Sequence, residues 1–195
     1  TMMAKCVPTI MPDMTFEEAI EVTKIHSVAG ILDDSVGIVV NRPFRTPHHT
    51  ATVPALMGGG ANARPGEISM AHNGVLFLDE MPEYQRRTLE TLRQPLEDGV
   101  AVVSRAKRTL EYPSRFMLVA SMNPCPCGNL GSKVQQCKCT PSEIHRYISK
   151  LSGPLLDRID LQIEVDSISY DEFRSSELNE SSESIKARVE KARTV

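Results

Sequence analysis

The sequence contains no tryptophan, and aromatic residues make up only 5% of its 195 positions. It has no apolar run near the roughly 18 residues that a membrane-spanning helix needs. The first residues, Thr1-Met2-Met3-Ala4-Lys5, show no apolar signal region followed by a cleavage site. The expectation is a cytoplasmic protein without a membrane partner. The net charge of -3 gives no case for nucleic-acid binding from composition and leaves only local basic patches to make one. No repeat at a fixed period is visible. What remains, 41% hydrophobic and 24% charged residues, is ordinary for a soluble globular protein. The length allows one domain plus part of a second. Cysteine is scarce and unevenly placed. Cys6 stands alone, whereas Cys125, Cys127, Cys137 and Cys139 crowd into fifteen residues. In a cytosolic chain such a cluster is more often a metal site than a pair of disulfides.

Apolar strands alternate with helices, the pattern of an α/β sheet with helices on both faces. Residues 1–7 read as helix. Thr15 followed by Glu18 is a capping-box pattern opening a helix to about His26. A strand is expected at Gly37–Val40, then a loop rich in Gly, Pro and His, then a short helix around Gly66–His72. Val75-Leu76-Phe77-Leu78 suits a strand buried on both faces of a parallel sheet. Tyr84–Leu96 reads as one helix with Leu89, Leu92 and Leu96 on one side. Val100–Ser104 and Thr109–Tyr112 read as a hairpin. Phe116–Ala120 is a second buried run, and Pro141 to about Leu151 a helix capped by Thr140. Leu161–Val165 is the last strand candidate. Residues 166–180 read as a linker, and Ser181–Arg193 as a charged helix.

Three features carry chemistry. Asp79-Glu80 ends the Val75–Leu78 run, which places both carboxylates at the carboxyl edge of the sheet, where open α/β folds bind ligands. In a nucleotide hydrolase the first acid can orient magnesium through water and the second can activate the attacking water. The competing reading is two acids that merely solvate a strand end. Asn123 follows the next apolar run; it could position water without adding charge, or serve as a turn residue before Pro124. Arg158, in Ser152-Gly153-Pro154-Leu155-Leu156-Asp157-Arg158-Ile159-Asp160, could stabilise a γ-phosphate in a neighbouring subunit or pair with Asp157 or Asp160.

In this order the features resemble the Mg-chelatase-like AAA+ ATPases, and most closely their bacterial YifB/ComM branch. The resemblance runs along essentially the whole chain. It rests on Arg42-Pro43-Phe44-Arg45-Thr46-Pro47-His48-His49-Thr50, Gly58-Gly59-Gly60, Arg64-Pro65-Gly66-Glu67-Ile68-Ser69 and Ala71-His72-Asn73-Gly74. Leu92-Arg93-Gln94-Pro95-Leu96-Glu97-Asp98-Gly99, Met122-Asn123-Pro124-Cys125-Pro126-Cys127-Gly128 and the Ser152–Asp160 stretch continue it. The resemblance implies an α/β fold of the AAA+ P-loop NTPase type, a three-layer αβα sheet. Its strand order would be fifth, first, fourth, third, second. It implies ATP and magnesium as cofactors, Asp79 and Glu80 as Walker B acids, Asn123 as sensor-1 residue and Arg158 as arginine finger. Residues 41–66 would be the helix-2 insertion and 100–112 the pre-sensor-1 hairpin. The tip Arg105-Ala106-Lys107-Arg108 would then meet a DNA backbone in the pore of a homo-hexameric ring; a solvated hairpin tip is the plainer alternative. His48 and His49 are expected to have a structural or interface role rather than to bind metal.

The family's phosphate loop, G-x-x-x-x-G-K-[ST], does not occur in this sequence. Thr1-Met2-Met3-Ala4-Lys5 resembles the residues just past the lysine of that loop, so Thr1 would be the motif's last residue and a magnesium ligand. The expected architecture is an ATPase core at 1–166 lacking its first strand and phosphate loop, with a linker and first lid helix at 167–195. Leu161–Val165 would then have to close the gap beside the sensor-1 strand or stand apart. These 195 residues alone are expected to hydrolyse little ATP. The four clustered cysteines suit a structural tetrahedral zinc, although one residue rather than the usual two separates each pair; free thiols are the alternative. Two other functions stay open: a magnesium-chelatase-type motor subunit driving metal insertion, and a non-catalytic zinc-binding interaction module.

Overall fold

Val75–Leu78 forms β4, and all four of its side chains are buried. In this computed structural model the described residues are 2–33, 35–60, 62–105, 108–132, 135–165 and 180–194, with the side chains of Arg105 and Arg108 also outside the description. β4 is the middle of a parallel sheet, flanked by β1 (Phe44–Arg45) and β7 (Met117–Ala120). This order reproduces the second–third–fourth run expected of the AAA+ sheet. Leu76 and Leu78 join a core with Leu56, Ile68, Leu89, Leu92, Ala101 and Leu155. Phe77, one residue out of phase, stacks on Phe44 with ring centroids 6.1 Å apart. The alternation is that of a strand covered on both faces.

The helices begin where local chemistry starts them. α1 spans Met2–Ile10 and packs against β4. Thr15 and Glu18 form the expected capping box of α2 (Phe16–Ala29), which ends on Gly30 in the left-handed conformation. α3 (Val53–Met57) and α4 (Glu67–Met70) flank a small antiparallel pair, β2 (Gly58–Gly59) and β3 (Arg64–Pro65). β1 lies close to β4 because Gly74 has no side chain: a Cβ there would overlap the Pro43 carbonyl oxygen, which accepts the Val75 N–H at 2.8 Å. Arg42 braces this corner, its buried guanidinium donating to the backbone oxygens of Pro12 and Asn73 and meeting Glu18 at 3.1 Å.

Four expectations change. Gly37–Val40 is not a strand; the Val39 N–H donates to Thr23 Oγ1 at 2.9 Å, and the strand beside β4 begins at Phe44. Tyr84–Leu96 is not one helix. A 3-10 turn at Met81–Glu83 is followed by α5 (Arg86–Glu90) and α6 (Arg93–Asp98). Pro95 explains the second break, since its ring would clash with the Thr91 carbonyl of a continuous helix. β7 is not a fully buried strand: it is the sheet edge among the described residues, and Met117 is 46% exposed. Leu161–Val165 is not a strand either. It stands apart with Leu161, Ile163 and Val165 each about 80% exposed, because a strand needs a ladder partner and none of the described residues pairs with it.

β5 (Val100–Arg105) and β6 (Arg108–Pro113) form the expected hairpin, with Arg105 opposite Arg108 at its end. Lys107 and the side chains of Arg105 and Arg108 lie outside the described residues, as do Thr1 and most of the 166–180 linker. α7 (Pro141–Ile148) has the Thr140–Glu143 capping box, α8 spans Gly153–Leu156, and α9 (Ser182–Arg193) packs on α1. Lys186 of α9 meets Asp13 at 2.6 Å. Among the described residues no helix is long and apolar enough to cross a membrane.

Candidate functional site

The parallel register pairs Leu78 with Ala120, so the chain leaves the sheet at Asp79 and Ser121 side by side. The Ser121 hydroxyl donates to the Asp79 carboxylate and accepts the Glu80 backbone N–H at 3.1 Å. The Ser121 backbone closes the same turn, its N–H donating to Leu78 and its carbonyl accepting from Met81. One serine therefore holds the Asp79 carboxylate and the Glu80 backbone. Glu80 sits in the left-handed region, φ 51°, ψ 51°, which an L-residue adopts at a cost of about 1–2 kcal/mol. That turn separates the directions of the two acids: Asp79 is half-buried and Glu80 is exposed.

Ser121 was not among the candidate residues of the sequence. Its signal was position, one step past an apolar run just as Asp79 is, but only the register brings the two together. Ser121→Ala should loosen the Asp79–Glu80 turn with little change in melting temperature, because it removes one hydrogen bond to a carboxylate and one to a backbone amide. Hydrogen exchange of the Glu80 amide beside a thermal melt checks this; an unchanged exchange rate would contradict the clamp.

Tyr84 borders the same edge. Burial, and then the negative charge of Asp79, push its hydroxyl up to about 12. It stays protonated and donates to the Pro47 carbonyl. The loop bearing His48 and His49 is thus pinned beside the acids: the two imidazoles lie 4.0 Å apart, and His49 meets the Tyr84 ring edge-on at 6.5 Å. Among the described residues neither histidine belongs to a metal-capable cluster.

Asn123 is exposed, two residues beyond Ser121. Its side chain lies 4.0 Å from where a Gly128 Cβ would be. Arg158 pairs with Glu97 at 2.9 Å rather than with its sequence neighbours Asp157 and Asp160. Both partners are roughly half-exposed, so the pair is worth little and is easily exchanged for another anion.

The four clustered cysteines converge. All their sulfurs lie within 4.8 Å of one another, and none is in a disulfide. Cys125 Sγ is 3.4 Å from Cys127 Sγ and 3.7 Å from Cys137 Sγ, and Cys127 and Cys137 are also 3.7 Å apart. Four thiolates around one zinc at about 2.3 Å would stand about 3.8 Å from each other, so the donor set fits such an ion. Backbone amides also point at the sulfurs. Those of Lys138 and Asn129 hold Cys127 down to about 6. The Cys127 amide reaches Cys139, whose thiol is nevertheless pushed up to about 12 by burial and its three sulfur neighbours. In the absence of a cation the thiolates cannot share this space, which is the electrostatic condition a metal relieves.

A profile of the family described as magnesium chelatase, subunit ChlI, matches residues 1–173. The chain is 43% identical over 198 residues to the competence protein ComM of Haemophilus influenzae, a match spanning 100% of this chain and 38% of ComM. It is 49% identical over 166 residues to the uncharacterized protein YifB of Escherichia coli, 85% of this chain and 32% of YifB. The chain therefore spans well under half the length of the curated relatives it matches. NtrX of Brucella abortus in complex with ADP superposes on 61% of this chain and 24% of its own, with 20% identity and a TM-score of 0.42, too weak a likeness to carry weight. With nearly nine tenths of its residues inside one family profile, the chain belongs to the magnesium chelatase, subunit ChlI, family.

Proposed function

We propose that the whole protein is an AAA+ ATPase and that this chain supplies the acidic edge of its hydrolytic site. The observation that carries the reading is the pair Asp79-Glu80 at the carboxyl end of a fully buried central strand, with Ser121 bonded to the Asp79 carboxylate and the Glu80 backbone N–H. Bound Mg–ATP supplies the electrophilic γ-phosphorus and its charge-neutralising cation. Asp79 would orient that cation through water, and Thr1 would be its hydroxyl ligand. Glu80, exposed and turned away from Asp79, accepts the proton of the attacking water. Asn123 orients that water with a neutral amide. Arg158, held only by a surface pair with Glu97, reaches the γ-phosphate of an adjacent subunit in a homo-hexameric ring. Residues 1–166 act as the core, and 167–195 as linker and first lid helix.

The four cysteines hold a structural zinc that closes the loop after Asn123. The fit of the sulfur separations to a tetrahedral edge supports this reading.

The substrate of the motor is DNA, met by Arg105, Lys107 and Arg108 at the hairpin end. Three cations within four residues on a hairpin favour a phosphate backbone over the porphyrin partners of a chelatase-type motor. Lys107→Ala/Arg108→Ala should weaken DNA binding by the whole protein and reduce the slope of log affinity against log salt by about 1–2. An unchanged slope would remove DNA from this surface. The ATPase itself is tested by turnover of the whole protein and its loss on replacing Glu80.

A further inference from the structure

Of the four clustered cysteines, one stands in the open. Cys127 is exposed, Cys137 and Cys139 are partly covered, and Cys125 is fully buried. A small polar molecule therefore meets Cys127 before any other member of the knot. Two sulfurs stand within reach of it: Cys125 Sγ at 3.4 Å and Cys137 Sγ at 3.7 Å. A disulfide needs about 2.05 Å between its sulfurs, so either partner lies about 1.5 Å short of a bond. Cys125 is nearer, yet a single residue, Pro126, separates it from Cys127. A bond between those two would close a small ring around a proline, and strain of that kind makes a disulfide easily reduced. Cys137 lies ten positions along the loop and carries no such constraint.

We propose that the cysteine knot is a peroxide-sensitive zinc site, in which hydrogen peroxide converts Cys127 and Cys137 to a disulfide and expels the metal. The inference rests on the reading of the knot as a zinc site and adds its regulation. The Cys127 thiolate attacks one peroxide oxygen; the O–O bond breaks, Cys127 becomes a sulfenic acid and hydroxide leaves. The Cys137 thiolate then attacks the Cys127 sulfur and displaces a second hydroxide. Two electrons pass from the sulfurs to the peroxide, and two protons from solvent turn the hydroxides into water. Zinc changes no oxidation state. It keeps only Cys125 and Cys139, half of a tetrahedral donor set, and dissociates. The loss falls on the two ends of the loop. Cys125 follows Asn123 by two residues, and Cys139 immediately precedes Thr140, the cap of α7. The metal ties those ends together, whereas a bond between Cys127 and Cys137 closes only the stretch between them. Oxidation thus unties the exit of β7 from the start of α7 while the loop stays covalently closed.

The test treats the whole protein, purified reduced and with its metal, with hydrogen peroxide in small molar excess. Released zinc is followed with a chromogenic chelator, and disulfides are mapped by mass spectrometry. About one metal ion should leave per Cys127–Cys137 disulfide formed. Dithiothreitol followed by zinc should restore the metal content. Dimedone present during the oxidation should label Cys127 as the sulfenic acid and leave Cys125 unlabelled. Metal that stays bound while peroxide is consumed overturns the proposal. So does zinc release without a disulfide, with the cysteines carried on to sulfinic or sulfonic acid, and so does Cys125–Cys127 as the main bond. If the reduced protein carries no metal, the zinc reading fails and metal release with it; the mapped Cys127–Cys137 bond then upholds or overturns the remaining step.

Discussion

On the proposed ATPase reading, Glu80→Gln should lower ATP turnover by the whole protein about 100- to 1,000-fold while ATP binding is retained. A positioned general base contributes on this scale, and glutamine keeps the shape while losing the basic oxygen. The structure argues that the substitution will not disturb its surroundings. Glu80 is exposed, and the interaction that holds it in its left-handed turn is made by its backbone N–H to Ser121, not by its carboxylate. Equilibrium nucleotide binding beside single-turnover hydrolysis separates the two effects. Undiminished hydrolysis would return Asp79-Glu80 to the status of acids that solvate a strand end. A parallel loss of binding and turnover would indicate that Glu80 supports the nucleotide rather than the water. Asp79 makes a weaker test, because its carboxylate takes the Ser121 hydroxyl and its charge acts on Tyr84, so removal perturbs the edge itself.

The second large effect concerns the cysteines. Protein purified without added zinc should carry about one metal ion per chain, and Cys125→Ser should reduce this to a small fraction. Cys125 is the cysteine to replace, since it is fully buried and its sulfur stands 3.4 and 3.7 Å from two of the others. A serine hydroxyl there is a poor zinc ligand in a dry position, and three thiolates are left facing each other without their cation. The melting temperature should fall by roughly 5–10 °C, because metal binding in such a site is coupled to folding of the loop. Metal analysis and thiol titration on the same sample decide the matter. Little metal together with four freely reactive thiols would sink the zinc reading, and the loop would then be an oxidisable thiol cluster.

How much of this was legible in the residues depended on the range of the interaction. The capping boxes at Thr15–Glu18 and Thr140–Glu143 need only residues three apart, and both formed where expected. The Val75–Leu78 run could be read because four consecutive apolar side chains have few homes other than a doubly covered strand. The hairpin at Val100–Pro113 also formed, its turn joining neighbouring segments. Expectations weakened once a distant partner mattered. Leu161–Val165 has strand-like alternation, yet pairs with nothing among the described residues. Gly37–Val40 yielded its expected place to Phe44–Arg45, which Gly74 allows to approach β4.

The candidate site divides along the same line. Composition and order alone determined that a buried strand ends in two acids, that an amide follows the next strand, and that four cysteines share one loop. Those are properties of short segments, governed by local burial and spacing. Only the tertiary structure decided that Ser121 holds the Asp79 carboxylate and the Glu80 backbone, that Tyr84 pins the His48-His49 loop through the Pro47 carbonyl, and that Arg158 meets Glu97. The reason is physical: a hydrogen bond across strands exists only once the register is set, and the register is set by the packing of side chains far apart in the chain.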